Sequence, residues 1–207
     1  MIERLKKLNK KRRSVWFPLW RILARCKGVD VHRSVLMNGF PLFRVAKGAN
    51  ITLAKGVKIN SSIWSNPIIS RSRSSLTAVG EGASMSIEKN VGMSGVCLCA
   101  AQKIHIGEGT IIGADAMIID TDFHRPLADW RWSNSAKETS QPIIIGRGCF
   151  IGSRAIILKG VVLGDGAVVA AGAVVTKNVP SEHVAYGNPA KVMPLSDKWL
   201  RSSIVES

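Results

Sequence analysis

Broken every six residues, positions 145–180 read IGRGCF, IGSRAI, ILKGVV, LGDGAV, VAAGAV and VTKNVP. Each hexad opens on a branched aliphatic: Ile145, Ile151, Ile157, Leu163, Val169 and Val175. The fifth position holds Cys149, Ala155, Val161, Ala167, Ala173 and Val179, and Gly follows the aliphatic at 146, 152 and 164. Thirteen of these 36 residues are Ile, Leu or Val, so six hits in one register would arise by chance on the order of once in a hundred trials. A helix shows apolar spacings of three and four and a simple strand shows two. A spacing of six requires a chain that turns a corner every six residues and closes a triangular coil in about 18. Successive coils then stack as parallel strands roughly 4.8 Å apart, with the large aliphatics inside the prism and the small residues at the corners. The spacing predicts an all-β, parallel β-helix solenoid.

The phase continues upstream as Ile106, Ile112 and Ile118, as Ile87, Met93 and Cys99 offset by one residue, and as Val45, Ile51, Val57 and Ile63. Residues 64–86 are Ser-rich and hold the phase poorly, and the solenoid is expected over residues 35–193. It is interrupted once. Residues 120–142 are polar and aromatic, with Trp130 and Trp132, before the repeat resumes at Ile143 to Ile145. A segment extruded from a regular coil is where function concentrates.

The chain has 207 residues, 46% of them hydrophobic, enough apolar material for one packed domain. Its net charge is +15, and residues 1–33 hold 11 of the 29 Lys+Arg against only Glu3 and Asp30. Residues 1–34 read as a separate basic segment. Within it, residues 1–27 read as a basic amphipathic helix, with Leu5, Leu8, Val15, Trp16, Leu19, Ile22 and Leu23 against a Lys/Arg face. Two roles fit it: adsorption to the anionic inner face of a membrane, or a cap on the open end of the solenoid. Residues 194–207 read as a short C-terminal helix or tail. No stretch has the ~18 apolar residues needed to span a bilayer, and Cys26-Lys27-Gly28 after the apolar run is no secretory cleavage site. The expected location is the cytoplasm, peripheral at the membrane if the basic helix adsorbs. The four cysteines show neither a C-x-x-C pair nor disulfide spacing and read as reduced, mostly buried side chains.

The stretch Ile112-Gly113 to Asp120-Thr121-Asp122-Phe123-His124, the extruded loop, Pro142-Ile143-Ile144-Ile145-Gly146, Ala171-Gly172-Ala173-Val174-Val175-Thr176-Lys177 and Gly187-Asn188-Pro189-Ala190-Lys191-Val192 resembles the hexapeptide-repeat acyltransferases. These are left-handed parallel β-helix enzymes. The resemblance is closest to the maltose and galactoside O-acetyltransferase group and to the acetyltransferases of capsule, colanic acid and lipopolysaccharide synthesis. It implies a homotrimer with acetyl-CoA as the acyl donor, bound along a groove between neighbouring prisms, and direct transfer to an acceptor hydroxyl. His124 matches the family's catalytic base, with Asp122 or Asp120 available to orient it. Ser153, Ala171, Thr176, Lys177 and Lys191 match CoA-contacting positions. Asp120, Trp130, Arg131 and His105 are candidates for contact with a glycan or lipid-linked sugar, and Arg125 and Trp132 are of types suited to the same task. One departure bears on the acceptor: where the sugar acetyltransferases have an Asn, this chain has Met93-Ser94-Gly95, which argues against small free sugars.

An imidazole suits the assigned role, because it can take a hydroxyl proton at neutral pH and return it to a leaving thiolate. Other readings remain open at this level. The acceptor could be the amine of a nucleotide-linked amino sugar. Asp120, Asp122 and His124 are metal-ligand types, and His105 with His124 suggests a zinc hydratase of the same fold, although a third histidine is lacking and no metal is expected. The charge could serve nucleic acid, yet it is confined to one end without a reading motif, and no nucleic-acid partner is expected.

Overall fold

The computed structural model describes residues 18–196 except 67 and 70–72. Residues 18–26 form a helix, α1, and the chain then winds through six three-stranded coils. The first coil contains β1 (Val29–Val31), β2 (Leu36–Asn38) and β3 (Leu42–Val45). The second contains β4 (Asn50–Leu53), β5 (Lys58–Asn60) and β6 (Ser75–Ala78). The third holds β7 (Ser84–Ile87), β8 (Gly92–Ser94) and β9 (Cys97–Ala100), and the fourth β10 (Lys103–Ile106), β11 (Ile111–Ile112) and β12 (Met117–Ile119). The fifth holds β13 (Ile143–Ile145), β14 (Phe150–Ile151) and β15 (Ile156–Ile157), and the sixth β16 (Val162–Leu163), β17 (Val168–Val169) and β18 (Val174–Val175). A last pair, β19 (His183–Tyr186) and β20 (Lys191–Pro194), is antiparallel and extends the second face.

Every third strand pairs in parallel, so three sheets form the faces of a prism: β1-β4-β7-β10-β13-β16, β2-β5-β8-β11-β14-β17-β19-β20 and β3-β6-β9-β12-β15-β18. This is the parallel β-helix expected from the period of six, and it is consistent with the left-handed form that the resemblance implies. The register turns the hexad aliphatics into three columns. Leu53, Ile87, Ile106, Ile145 and Leu163 align on the first face. Met93, Ile112, Ile151 and Val169 align on the second. Phe43, Leu76, Leu98, Ile118, Ile157 and Val175 align on the third, and all three columns are buried.

The upstream phase differs from expectation in two places. Leu98, not Cys99, occupies the third column, because the turn after Met93 is one residue shorter; Cys99 lies on the opposite side of the strand. Ile63 is exposed, since it lies past the end of β5 in the long stretch that separates β5 from β6. Ile51 and Val57 are buried beside the columns rather than on them.

Glycine at the corners has two separate causes. At Gly148, φ is +62° and the space around a Cβ is open, so only backbone conformation is at stake. At Gly152, a Cβ would stand 2.4 Å from the Ala171 nitrogen of the next coil. Bare backbone is needed there for coils to stack at strand spacing. Gly152→Ala is expected to lower stability by about 1–3 kcal/mol through overpacking, more than Gly148→Ala. Thermal melting of the two variants checks the order.

α1 closes the open end of the stack. Trp20 and Ala24, four apart on one helix face, pack on the core cluster, and the Arg25 guanidinium donates to the Val31 carbonyl at 2.7 Å. Residues 18–26 thus pack on the core, and β1 at Val29–Val31 already belongs to the first coil although residues 1–34 were expected to form a separate segment; residues 1–17 and 197–207, including most of the expected amphipathic helix and C-terminal tail, lie outside the described residues. Among the described residues, no helix is long and apolar enough to cross a membrane.

Candidate active site

The extruded loop leaves the prism after β12 and re-enters at β13, and its two ends are tied together at the prism edge. The Gln141 N–H donates to the Asp120 carbonyl at 2.8 Å, and the Gln141 carbonyl accepts from Gly160 N–H at 3.1 Å. Within the loop, the Thr121 hydroxyl donates to the Ala136 carbonyl at 2.5 Å and accepts from Phe123 N–H at 3.0 Å. Phe123 is left-handed, with φ +62°, which turns the chain back so that His124 N–H reaches the Asp122 carbonyl at 2.7 Å. A non-glycine residue in this region carries a conformational cost, and such costs collect at working sites.

Beyond His124 the chain forms a small hairpin. Leu127 N–H donates to the Arg131 carbonyl at 2.8 Å and Ser133 N–H to the Arg125 carbonyl at 2.9 Å. The hairpin brings the Ser133 carbonyl 3.0 Å from Nδ1 of His124. A carbonyl can only accept, so Nδ1 carries the proton, and in the neutral ring Nε2 is left with its lone pair. The imidazole is thus fixed in orientation and tautomer, with its basic nitrogen away from the hairpin.

Asp122, His124, Pro126 and Trp132 line a cleft of about 700 Å³. Its walls pair an imidazole and a carboxylate with a proline and a half-open indole, the combination that holds a polar ring by one apolar face. The Asp122 carboxylate is not the partner of the His124 ring: its Oδ2 is paired with Nζ of Lys159, which rises from the end of β15 one coil above. Asp120 is likewise engaged elsewhere than expected. It is fully buried, accepting from Ala101 N–H at 2.6 Å, Gln102 N–H at 2.8 Å and Lys103 N–H at 2.7 Å, so it anchors the turn between β9 and β10 and does not face an acceptor.

The remaining candidates fall on different parts of the prism. Trp130 is 95% exposed and is not among the residues lining the cleft, where Trp132 stands. Arg131 is bound to Asp129 at 2.6 Å, and this bond holds the Asp129 carboxyl below its ordinary range. His105, on the outer face of β10, has its Nδ1 2.8 Å from the Ser86 hydroxyl. Among the described residues, no three His, Cys, Asp or Glu side chains converge as a metal site, which leaves the zinc-hydratase reading without a ligand set there.

Ser153 and Ala171 stack on one prism edge, where Gly172 N–H donates to the Ser153 carbonyl at 2.9 Å. Thr176 and Lys177 follow β18 on the next edge and are exposed. This is the edge from which the loop departs, with Lys159 one coil below Lys177. Lys191 is exposed at the start of β20. Burial pushes the Cys99 thiol up to about 11, with the Cys97 thiol and the Asp120 carboxylate adding to it, and burial raises Cys149 as well. Both therefore stay protonated at neutral pH and are poor nucleophiles.

Residues 142–177 match the profile of the hexapeptide repeat of succinyl-transferase. The chain is 42% identical over 88 residues to a protein of Schizosaccharomyces pombe named as an acetyltransferase, an alignment covering 42% of this chain and 41% of that protein. It is 51% identical over 55 residues to the 2,3,4,5-tetrahydropyridine-2,6-dicarboxylate N-acetyltransferase of Staphylococcus aureus, covering 27% and 23% of the two chains. The similarity thus spans less than half the length of either relative. Among solved structures, the N-acyltransferase AntD of Bacillus cereus, in complex with dTDP and 3-hydroxybutyryl-CoA, superposes with TM-score 0.61 at 15% identity, covering 87% of this chain and 89% of the other. A hexapeptide-repeat acetyltransferase of Vibrio cholerae complexed with acetyl coenzyme A superposes with TM-score 0.51 at 20% identity, covering 86% and 76%.

Proposed function

We propose that this hexapeptide-repeat protein is an acetyl-CoA-dependent O-acetyltransferase acting on a sugar hydroxyl of a cell-surface polysaccharide or of its lipid-linked precursor. The observation that carries the reading is His124, held through Nδ1–H by a backbone carbonyl beside an indole-walled cleft, with Nε2 free to accept a proton. Nε2 takes the proton of the acceptor hydroxyl as its oxygen attacks the thioester carbonyl. The tetrahedral intermediate then expels the CoA thiolate, and the imidazolium returns the proton to sulfur. No acyl-enzyme is required, in keeping with two buried thiols that are protonated at neutral pH.

Trp132 and Pro126 would stack on the acceptor ring. The donor would run along the edges that carry Ser153, Ala171, Thr176 and Lys177, with Lys191 at its phosphates as a point charge rather than a bidentate fork. The same reading takes the protein as a homotrimer whose donor groove lies between prisms.

A second reading, transfer to the amine of a nucleotide-linked amino sugar, is favoured by the similarity of the repeats to an N-acetyltransferase. Incubation with acetyl-CoA and each acceptor class, followed by hydroxylamine treatment of the product, separates the two. An O-acetyl ester is cleaved and an amide survives. Absence of acetyl-CoA binding to purified protein by calorimetry would overturn both.

Lys159 acts in this scheme as a positioning residue, because it pins Asp122, whose carbonyl in turn holds His124 N–H. Lys159→Met is expected to lower kcat about tenfold, by displacing the imidazole, with the KM for acetyl-CoA unchanged and partial rescue in Lys159→Arg. The thermal midpoint should move little, since half-exposed pairs contribute at most about 1 kcal/mol.

A further inference from the structure

In a solenoid, position along the sequence is height along the axis, so an uneven charge distribution becomes a polar molecule. Residues 1–66 contain 15 Lys+Arg against Glu3 and Asp30, whereas residues 67–207 contain 14 against 12. Within the described part of that first third, Arg21, Arg25, Lys27, Arg33, Arg44, Lys47, Lys55 and Lys58 face a single acid, Asp30. They are carried by α1 and the first two coils. The four ion pairs among the described residues all lie in the loop or in higher coils, at Arg125–Glu138, Arg131–Asp129, Arg147–Asp165 and Lys159–Asp122.

The same end exposes large apolar side chains. Leu19, Ile22 and Leu23 fall on one side of α1, next to the Trp20 and Ala24 face that packs on the core, and all three are exposed. At the second coil the stretch between β5 and β6 presents Trp64, 91% exposed, next to Ile63 and close to Ile68. Indole and branched aliphatics within a field of unpaired cations make the composition of an interfacial anchor.

We propose that the α1 end of the β-helix docks on an anionic lipid bilayer, with Leu19, Ile22 and Leu23 of α1 and Ile63 and Trp64 of the second coil entering the headgroup region. Charge complementarity selects the occupant: a protein partner would need an acidic face, while an anionic bilayer offers one of unlimited extent. The docking reaches beyond the basic first 27 residues to the second coil. It also has a consequence for the acceptor, which rests on the proposed transferase reading. The catalytic loop departs from the fourth coil, three strand spacings or about 14 Å above the first. The cleft would therefore stand over the membrane at the height of a sugar carried on a lipid.

The test is sedimentation of full-length protein with phosphatidylcholine vesicles, with and without 30% phosphatidylglycerol, at low and high salt. The expected result is salt-sensitive binding to the anionic vesicles alone. Lys47→Glu/Lys55→Glu/Lys58→Glu should weaken it by about two orders of magnitude and Trp64→Ala by severalfold. Four results overturn the proposal: no binding to anionic vesicles, equal binding to neutral ones, full binding by both variants, or preferential capture by duplex DNA in competition. Dissociation of an oligomer by Trp64→Ala, with vesicle binding unchanged, would assign that stretch to a subunit contact and overturn it too. Acetyl-CoA binding, followed in the same samples without vesicles, keeps the outcomes separate: docking without acetyl-CoA binding sinks the transferase reading alone, and acetyl-CoA binding without docking sinks this one alone.

Discussion

His124→Ala lowers the acetyl-transfer rate by about 10²–10⁴ and leaves acetyl-CoA binding intact; that is the expected result of removing the general base. The reasoning is geometric. The Ser133 carbonyl accepts from Nδ1–H, which favours the tautomer of the neutral imidazole that presents Nε2 as the basic nitrogen. Alanine removes that nitrogen without touching the Asp120–Gln141 or Thr121–Ala136 bonds that hold the loop. The loss should appear in kcat and kcat/KM alike, equivalent to about 3–5 kcal/mol of transition-state stabilisation. Thiol release from acetyl-CoA in the presence of acceptor reads it. A rate within threefold of the parent would remove His124 from the chemistry.

The largest structural effect is expected at Asp120. Its buried carboxylate accepts three backbone N–H groups of the β9–β10 turn, that of buried Ala101 and those of exposed Gln102 and Lys103, and Asp120→Ala removes all three bonds. The Ala101 N–H is left unsatisfied in a buried position, at about 1–3 kcal/mol, and the two bonds to the exposed residues add to it, so a loss of about 3 kcal/mol and a fall of roughly 6–12 °C in melting temperature are expected for a chain of this size. Asp120→Asn is the sharper probe, since one oxygen can still accept while the amide now meets donors with its own hydrogens. Because Asp120 also takes the Gln141 N–H through its carbonyl, the variant tests whether loop and coil melt together. A melting temperature unchanged in both variants would show that water replaces the lost acceptor.

The coil was legible wherever strands contribute one inward residue, as at Ile151, Ile157, Leu163, Val169 and Val175. It blurred wherever four-residue strands contribute two, as at Ile51 with Leu53 and Ile104 with Ile106, because a period of six can then be drawn through either. The break after β5 showed only as the poorly phased, Ser-rich stretch 64–86, and its start was missed for a related reason: Ile63 has the right residue type at the right spacing, and only its exposure tells that it left the coil. His124 stood out by its place in the interruption. Its actual partner, the Ser133 carbonyl, could not, since a backbone oxygen carries no residue identity. Asp120 and Asp122 looked like orienting groups because carboxylates near a histidine usually are; burial and the cross-coil Lys159 decided otherwise, and both depend on how coils stack.

A stack of parallel strands has no natural end, and each terminal rung is a template on which another copy could add indefinitely. Here β20 runs against β19 and ends at Pro194, so the growing edge meets a strand of reversed direction whose final residue has no N–H to offer. Truncation before Lys191 is expected to leave β19 as a bare edge on the second face, open to pairing with another copy, and thioflavin binding by the truncated protein checks it.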